Sequence, residues 1–204
     1  MSDTSVETLR LIGGHPALDF VNTVDAGMDR RGPDVLATYG DAIDWAVRVE
    51  LITKDNGKDL RQLTQSGDGP VALERLIEAR ENLYKVLLAE ALGQLPDTGA
   101  VAFLSQQLRE ASSFRTLCFD ADSHISKDWI ELNIDSILHR VIAHAVDLLT
   151  DRKRRPISLC DGVNCGWLFL DRSRSGRRRW CSEEGCGSHA RVRKFRAKTD
   201  QINQ

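Results

Sequence analysis

The chain has 204 residues, a length that fits one medium-sized domain or one domain with a small module attached. Apolar residues make up 41% and charged residues 28%, which is typical of a folded protein and excludes a disordered or fibrous chain. The net charge of −2 hides an asymmetry, because residues 1–150 carry 14 basic and 24 acidic side chains whereas residues 151–204 carry 14 and 6. We therefore expect an acidic body joined to a basic module that binds nucleic acid or another anionic surface.

The distribution of apolar residues predicts a cytoplasmic protein. No run approaches the roughly 18–20 apolar residues of a membrane span, and the first residues lack the charged start and apolar core of a signal peptide. We therefore expect no membrane partner. In a reducing compartment, clustered cysteines are more often metal ligands than disulfides.

Hydrophobic periodicity predicts a mainly helical body in residues 1–150. Apolar residues recur at helical spacing around residues 73–92, 98–111 and 134–149, and more weakly at 41–51 and 58–63. The segment between Arg115 and Ile130 alternates loosely, which predicts a short hairpin in which Cys118 is a buried small hydrophobe. The fold class is therefore α+β, mainly α, with a helical N-terminal domain that contains small β elements.

A change of composition after Thr150 indicates a domain boundary, and the C-terminal domain spans residues 151–204. The charge run DRKRRP begins this domain, and helical periodicity returns only near the end of the chain.

Four cysteines of this domain occur as two pairs. Four residues separate Cys160 from Cys165 and Cys181 from Cys186, and fifteen residues lie between the pairs. Zinc binds four ligands at the corners of a tetrahedron, which two tight turns joined by a short hairpin can supply. Four sulfur ligands leave no open position, so we expect one structural Zn²⁺ per chain. An alternative ligand is His189, because Cys-x-x-His is also a zinc-binding spacing.

The segment around the cysteines predicts a treble-clef-like zinc finger. Residues 166–171 alternate as in a strand, and residues 177–180 are predicted to return beside it as a hairpin. A helix is predicted after Cys186, with Val192 and Phe195 facing inward. A unit of this size buries little apolar surface. Zinc binding, with a free energy on the order of 10 kcal/mol, would therefore supply most of its folding free energy.

Basic residues are concentrated on the predicted hairpin and the last helix. The candidate nucleic-acid-binding residues are Arg174, Arg177, Arg178, Arg179, Arg191, Lys194 and Lys198. Four thiolates with Zn²⁺ contribute −2, so the charge of +8 falls to about +6, which still suits a phosphate backbone. The planar guanidinium of arginine favours bidentate contacts with phosphate or guanine, which predicts a nucleic-acid partner. Few aromatic residues beyond Trp167 and Trp180 are available to stack on bases, so duplex DNA is the predicted partner. The alternatives are an RNA-binding module, a protein-docking module, or arginines that pack against the acidic body.

Two motifs resemble a known bacterial family. The segment CGWLFLDRSRSGRRRWCSEEGCG resembles the CGNR zinc finger, and GGHPALDFVNTVD resembles the start of the ABATE domain that usually precedes it. The resemblance covers nearly the whole chain and implies a stress-induced transcription regulator with a largely helical first domain. It also implies zinc on the four paired cysteines and a DNA-facing role for the basic residues. Ser188 and His189 replace the Asn and Arg of the CGNR motif, so that arginine's contact would pass to Arg191 or His189.

The N-terminal motif contains a candidate ligand site. In a helix that begins at Pro16, the side chains of His15, Asp19 and Asn22 lie near one face. They either bind a small-molecule effector that alters the position of the zinc finger, or cap turns and hold the N-terminal segment on the body. A homodimer is a further candidate assembly.

Catalysis is not expected. An acid–base pair could be formed by His15 with Asp19, or by His139 with His144, but the two histidines of the second pair are five residues apart. No nucleophile elbow, P-loop or Rossmann glycine pattern occurs. We therefore expect a regulator and not an enzyme.

Overall fold

The computed structural model describes residues 5–24, 30, 32–119 and 124–202. Its α-helices are α1 (Pro16–Val21), α2 (Tyr39–Arg48), α3 (Lys54–Leu63), α4 (Gly69–Ala91), α5 (Thr98–Ser113), α6 (Ser136–Thr150) and α7 (Ser188–Ile202). Its strands are β1 (Arg115–Phe119), β2 (Ile125–Trp129), β3 (Ile157–Leu159) and β4 (Leu168–Leu170). The strands form two separate antiparallel pairs, β1 with β2 and β3 with β4. The predicted fold class, α+β and mainly α, is confirmed.

Local capping sets where the helices of the body begin. Helices α2 and α3 start at capping boxes formed by Thr38 and Thr53, each of which accepts a hydrogen bond from the third helical residue. Helix α5 starts at Asp97, whose carboxylate accepts the N–H of Ala100. The helices predicted near residues 41–51, 58–63, 73–92, 98–111 and 134–149 are all present, as α2, α3, α4, α5 and α6. In the part of the chain that the structure describes, no helix is both long and apolar enough to cross a membrane.

One hydrophobic core joins the helical body to the C-terminal segment. Helix α4 packs against α1, α2, α5 and α6, and the rings of Phe20 and Trp45 lie 5.2 Å apart beneath it. The same buried cluster continues through Leu168 and Phe169 of β4, both fully buried. The basic module is therefore docked on the acidic body by apolar burial.

The hairpin predicted between residues 115 and 130 is confirmed as β1 and β2, but the expectation for Cys118 is wrong. Cys118 is only partly buried, and its Sγ lies 3.0 Å from the hydroxyl of Ser126 on the facing strand. Leu117 and Phe119 on the opposite face are 68% and 74% exposed. A two-stranded ribbon cannot bury both of its faces, so its side chains remain partly in solvent.

The hairpin predicted between residues 166–171 and 177–180 is also wrong. Strand β4 pairs with the preceding strand β3, in a register that places Ile157 opposite Leu170. Residues 177–180 form no strand, because the N–H of Arg178 donates to the carboxylate of Asp171 instead of to a ladder. Strand β4 can pair on either side, and the loop that carries the first two cysteines brings β3 to it.

The helix predicted after Cys186 is confirmed as α7, but its predicted inward face is not. Val192 and Phe195 are 48% and 72% exposed. Helix α7 packs on the π-helical turn Glu183–Gly187 that precedes it, and not on the helices of the body. No surface therefore faces Val192 and Phe195 within the described residues.

Candidate metal centre and nucleic-acid interface

The four paired cysteines converge on one point. The sulfur atoms of Cys160, Cys165, Cys181 and Cys186 all lie within 4.8 Å of one another. The Sγ of Cys181 is 3.7 Å from that of Cys165 and 3.6 Å from that of Cys186. Zinc–sulfur bonds of about 2.3 Å in a tetrahedron place the sulfur atoms about 3.8 Å apart. The cluster therefore fits zinc, whereas His189 is exposed on the first turn of α7 and lies outside it.

The electrostatics of the cluster also require a cation. Contacts with Cys165 and Cys181, together with backbone N–H groups, lower the pKa of Cys160 to about 2. Contact with Cys160 in turn raises the pKa values of Cys165 and Cys181. Four thiolates at this spacing repel one another, so the cluster ionises fully only when a divalent cation offsets their charge.

The loop between β3 and β4 is shaped to hold the first two ligands. A Cβ atom on Gly162 would lie 2.5 Å from the Sγ of Cys186, so this position excludes every larger residue. The N–H groups of Gly162 and Cys181 donate to the Sγ of Cys160 over 3.3 Å and 3.1 Å. Gly166, at φ 69°, has the left-handed backbone conformation that returns the chain into β4. The two halves of the metal site are therefore joined by backbone donors as well as by the metal.

One of the predicted DNA-binding arginines is bound inside this module. Arg178 lies over the ring of Phe169, with its guanidinium carbon 4.2 Å from the ring centroid. Its Nε donates to the carbonyl of Trp180 over 2.9 Å, and its Nη2 donates to the carbonyl of Cys181. Arg178 therefore supports the segment that carries the third zinc ligand.

Asn22 of the N-terminal motif holds β4 in place. Its side-chain amide donates to the carbonyl of Leu168 over 2.8 Å and accepts the N–H of the same residue over 3.0 Å. The hydroxyl of Tyr84 on α4 donates to the carbonyl of Gly166 over 2.9 Å. Sequence reasoning missed the role of Tyr84, because 82 residues separate these partners and no local pattern relates them.

A buried arginine supports a second contact between the body and the module. The indole N–H of Trp167 donates to the carbonyl of Val24 over 3.1 Å. Next to Val24, the side chain of Thr23 accepts a hydrogen bond from Arg80, which is 2% exposed and pairs with Asp34 at 2.6 Å. This pair fixes the loop that receives Trp167.

His15 and Asp19 occupy different environments. Asp19 is 8% exposed and accepts the N–H of Gly13 over 2.8 Å, and burial raises its pKa to about 6. The ring of His15 caps α1 and lies 6.0 Å from that of His144, and burial lowers its pKa to about 4. Asp19 therefore closes the turn before α1 and Asn22 binds β4, whereas His15 also lines a cavity.

The two histidines considered as a catalytic pair are not brought together. His139 is 2% exposed, stacked on Phe114 at 4.7 Å, and neither ring nitrogen has a hydrogen-bond partner in the described structure. The second histidine of the predicted pair, His144, lies next to the ring of His15 instead.

The remaining basic residues of the module lie at its surface. Arg179 pairs with Asp161 at 2.7 Å, and Arg191 pairs with Glu183 at 2.8 Å. The side chain of Lys198 lies outside the described residues. Along residues 173–197, the exposed cations that have no ion-pair partner in the described structure are Arg174, Arg177, Arg193, Lys194 and Arg196.

The fold and the site define a helical protein that carries a four-cysteine zinc module. The family model ABATE, described as "Putative stress-induced transcription regulator", matches residues 14–152, and the CGNR zinc finger model matches residues 157–199. The chain therefore belongs to the ABATE family and carries a CGNR zinc finger, as its two motifs predicted. A search of curated proteins finds no match. The family supports a role in transcription regulation, with one structural zinc ion per chain.

Proposed function

We propose that this regulator binds duplex DNA through the exposed basic residues of its zinc module. The observation that carries the proposal is the group of exposed cations without ion-pair partners on α7 and on the loop before it. Within the acidic chain, these residues form a local excess of positive charge beside the zinc site. A phosphate backbone supplies the missing counter-charges.

Helix α7 has the placement that a groove-binding helix needs. It begins two residues after Cys186, so the zinc site holds its first turn. From Arg191 to Ala197 every residue is exposed. An α-helix with its side chains is about 10–12 Å wide, which matches the major groove of about 12 Å. Arg193 and Arg196, three residues apart, extend from one side of this helix.

The two tryptophans of the module favour duplex DNA over single strands, whereas Phe195 on α7 is 72% exposed. Trp167 is 8% exposed and bonded to the body, and Trp180 is half-buried beneath the guanidinium of Arg179. Neither indole is free to stack on an unpaired base, which is the usual contact of single-strand binders.

A protein-docking surface is the second candidate function, and one observation favours it. Val192 and Phe195 form an exposed apolar stripe on α7, at the spacing of successive helical turns. Replacement of both by serine would abolish protein docking, whereas it would leave phosphate contacts by the arginines in place.

The test is a fluorescence-anisotropy titration of the zinc-loaded full chain with random duplex DNA, single-stranded DNA and RNA over a series of salt concentrations. Two double variants remove the proposed contacts: Arg174→Ala with Arg177→Ala, and Arg193→Ala with Arg196→Ala. The matched control is Lys85→Ala with Arg109→Ala, which removes two exposed charges from α4 and α5.

Contact with about five phosphates predicts that log affinity falls with log salt at a slope of roughly −4 to −5. Each double variant should weaken duplex binding and reduce the slope by up to about 1.8, because each lost phosphate contact contributes about 0.9. The control should bind as the wild type does. Absence of duplex binding, or equal weakening in the control, would overturn the proposal, and tighter binding of RNA would replace DNA by RNA as the partner.

A further inference from the structure

A cavity of about 340 Å³ lies where the body meets the zinc module. Its lining combines the N-terminal motif, the end of α6, the following linker, and the end of β4 with the segment after it: His15, Asp147, Arg154, Arg155, Leu170 and Arg172. We propose that this cavity binds a small anionic molecule through a carboxylate or phosphate group. This anion site goes beyond the proposed DNA binding and takes up the small-molecule effector considered above for the N-terminal motif. Its occupancy can be tested without DNA.

Two arginines of the cavity have guanidinium groups available to a ligand. Arg155 is exposed, and its guanidinium forms no ion pair or hydrogen bond with any described residue. Arg172 donates one Nη2 hydrogen bond to the carbonyl of Gly14. This bond holds the Arg172 side chain between the zinc module and the N-terminal motif. Its remaining N–H groups have no partner among the described residues. A planar guanidinium held in this way suits a carboxylate or phosphate group.

His15 adds an uncharged donor. Its Nδ1 accepts the N–H of Ala17 over 3.2 Å, so the neutral ring carries its proton on Nε2. Burial and the neighbouring His144 and Arg172 lower the pKa of His15 to about 4, so the ring stays neutral near pH 7. Nε2 has no protein partner in the described structure and can donate to an anion.

The charge of the lining favours a small ligand over a row of DNA phosphates. Arg154 is already engaged, because its Nη2 pairs with Glu90 and its Nε donates to the carbonyl of Leu148 over 2.6 Å. Asp147 and Asp151 also line the cavity, so its three arginines face two carboxylates. The carboxylates repel a second phosphate but can accept a hydrogen bond from a hydroxyl or amino group of a small ligand.

An anion in this cavity would contact both parts of the chain. His15 belongs to the N-terminal motif, whereas Arg172 follows β4 of the zinc module and Arg155 lies in the linker between them. A ligand that bridges these residues binds the docked arrangement and stabilises it by mass action. This is the coupling that an effector site needs in order to act on the zinc finger.

The test uses the zinc-loaded full chain, with inorganic phosphate and succinate as separate probes and chloride at equal ionic strength as the reference. Thermal unfolding and calorimetric titration measure binding. Arg155→Gln removes an exposed arginine of the cavity, and Arg152→Gln is the matched control in the same linker, outside the lining. His15→Asn keeps an oxygen acceptor for the cap of α1 but removes the Nε2 donor.

We expect a saturable rise in the unfolding midpoint with at least one probe, and the phosphate and succinate titrations show which anion the cavity prefers. The dissociation constant should rise at least tenfold in Arg155→Gln and His15→Asn and stay unchanged in Arg152→Gln. No saturable effect of either probe, or equal affinity in Arg155→Gln and Arg152→Gln, would overturn the inference. If the wild-type chain bound anions but no duplex DNA, the proposed function would be refuted and the anion site would not, because the anion titrations contain no DNA.

Discussion

Asn22 forms the two backbone hydrogen bonds with β4 that a neighbouring strand would otherwise form. Substitution of Asn22 is therefore a direct test of how the zinc module is held on the body. Its side chain is 1% exposed and forms both available hydrogen bonds with the backbone of Leu168. In Asn22→Leu, a side chain of similar size leaves the N–H and C=O of Leu168 buried without partners. Each such group costs about 1–3 kcal/mol, so we expect the free energy of unfolding to fall by about 2–6 kcal/mol.

Urea unfolding of the zinc-loaded chain measures this loss, provided that the m-value of the variant matches that of the wild type. Zinc affinity, measured by competition with a chelator, gives a second readout, because Leu168 follows the loop that carries Cys160 and Cys165. Each 1.4 kcal/mol by which the substitution lowers the free energy of zinc binding weakens zinc affinity about tenfold.

The matched control is Asn82→Leu. The amide of Asn82 donates to the carbonyl of Glu78 on the exposed side of α4, so its loss should cost less than about 0.5 kcal/mol. If Asn22→Leu destabilised the chain no more than Asn82→Leu does, the view that Asn22 carries the docking of β4 would be refuted.

Two further predictions concern the metal and the buried carboxyl. Cys181→Ser should lose its bound zinc on metal analysis of the purified chain, and full retention would contradict the four-cysteine site. Burial raises the pKa of Asp19 to about 6 from 3.8, so the folded chain binds this proton more tightly than the unfolded chain does. The contribution of Asp19 to stability should therefore fall as pH rises from about 4 to 6, so Asp19→Asn should gain stability relative to the wild type over that window and level off above. A difference between the two that does not change with pH would count against the buried carboxyl.

Features that depend on neighbours in the sequence were predictable. The helices α4, α5 and α6 follow from apolar residues at helical spacing, since this periodicity is a property of the local sequence. The zinc ligands follow from the spacing of the four cysteines, because each pair must sit on one tight turn.

Features that depend on partners distant in the sequence could not be predicted. Strand β4 has the same alternation whether it pairs with β3 or with residues 177–180, and only the folded loop decides between them. Val192 and Phe195 form an apolar stripe that predicts a buried face, but burial needs an opposing surface, and α7 packs on the turn Glu183–Gly187 and not on the helices of the body. Arg178 has the charge of a DNA contact, yet it donates to the carbonyls of Trp180 and Cys181.

The sequence by itself determined the helical body, the basic module and the four zinc ligands, because periodicity, charge and cysteine spacing are local properties. Only the tertiary structure decided how the module sits on the body. That arrangement depends on Asn22 reaching Leu168 and on Tyr84 reaching Gly166, across 146 and 82 residues of chain. Such hydrogen bonds form when apolar burial brings the two segments together, so no stretch of sequence contains them in advance.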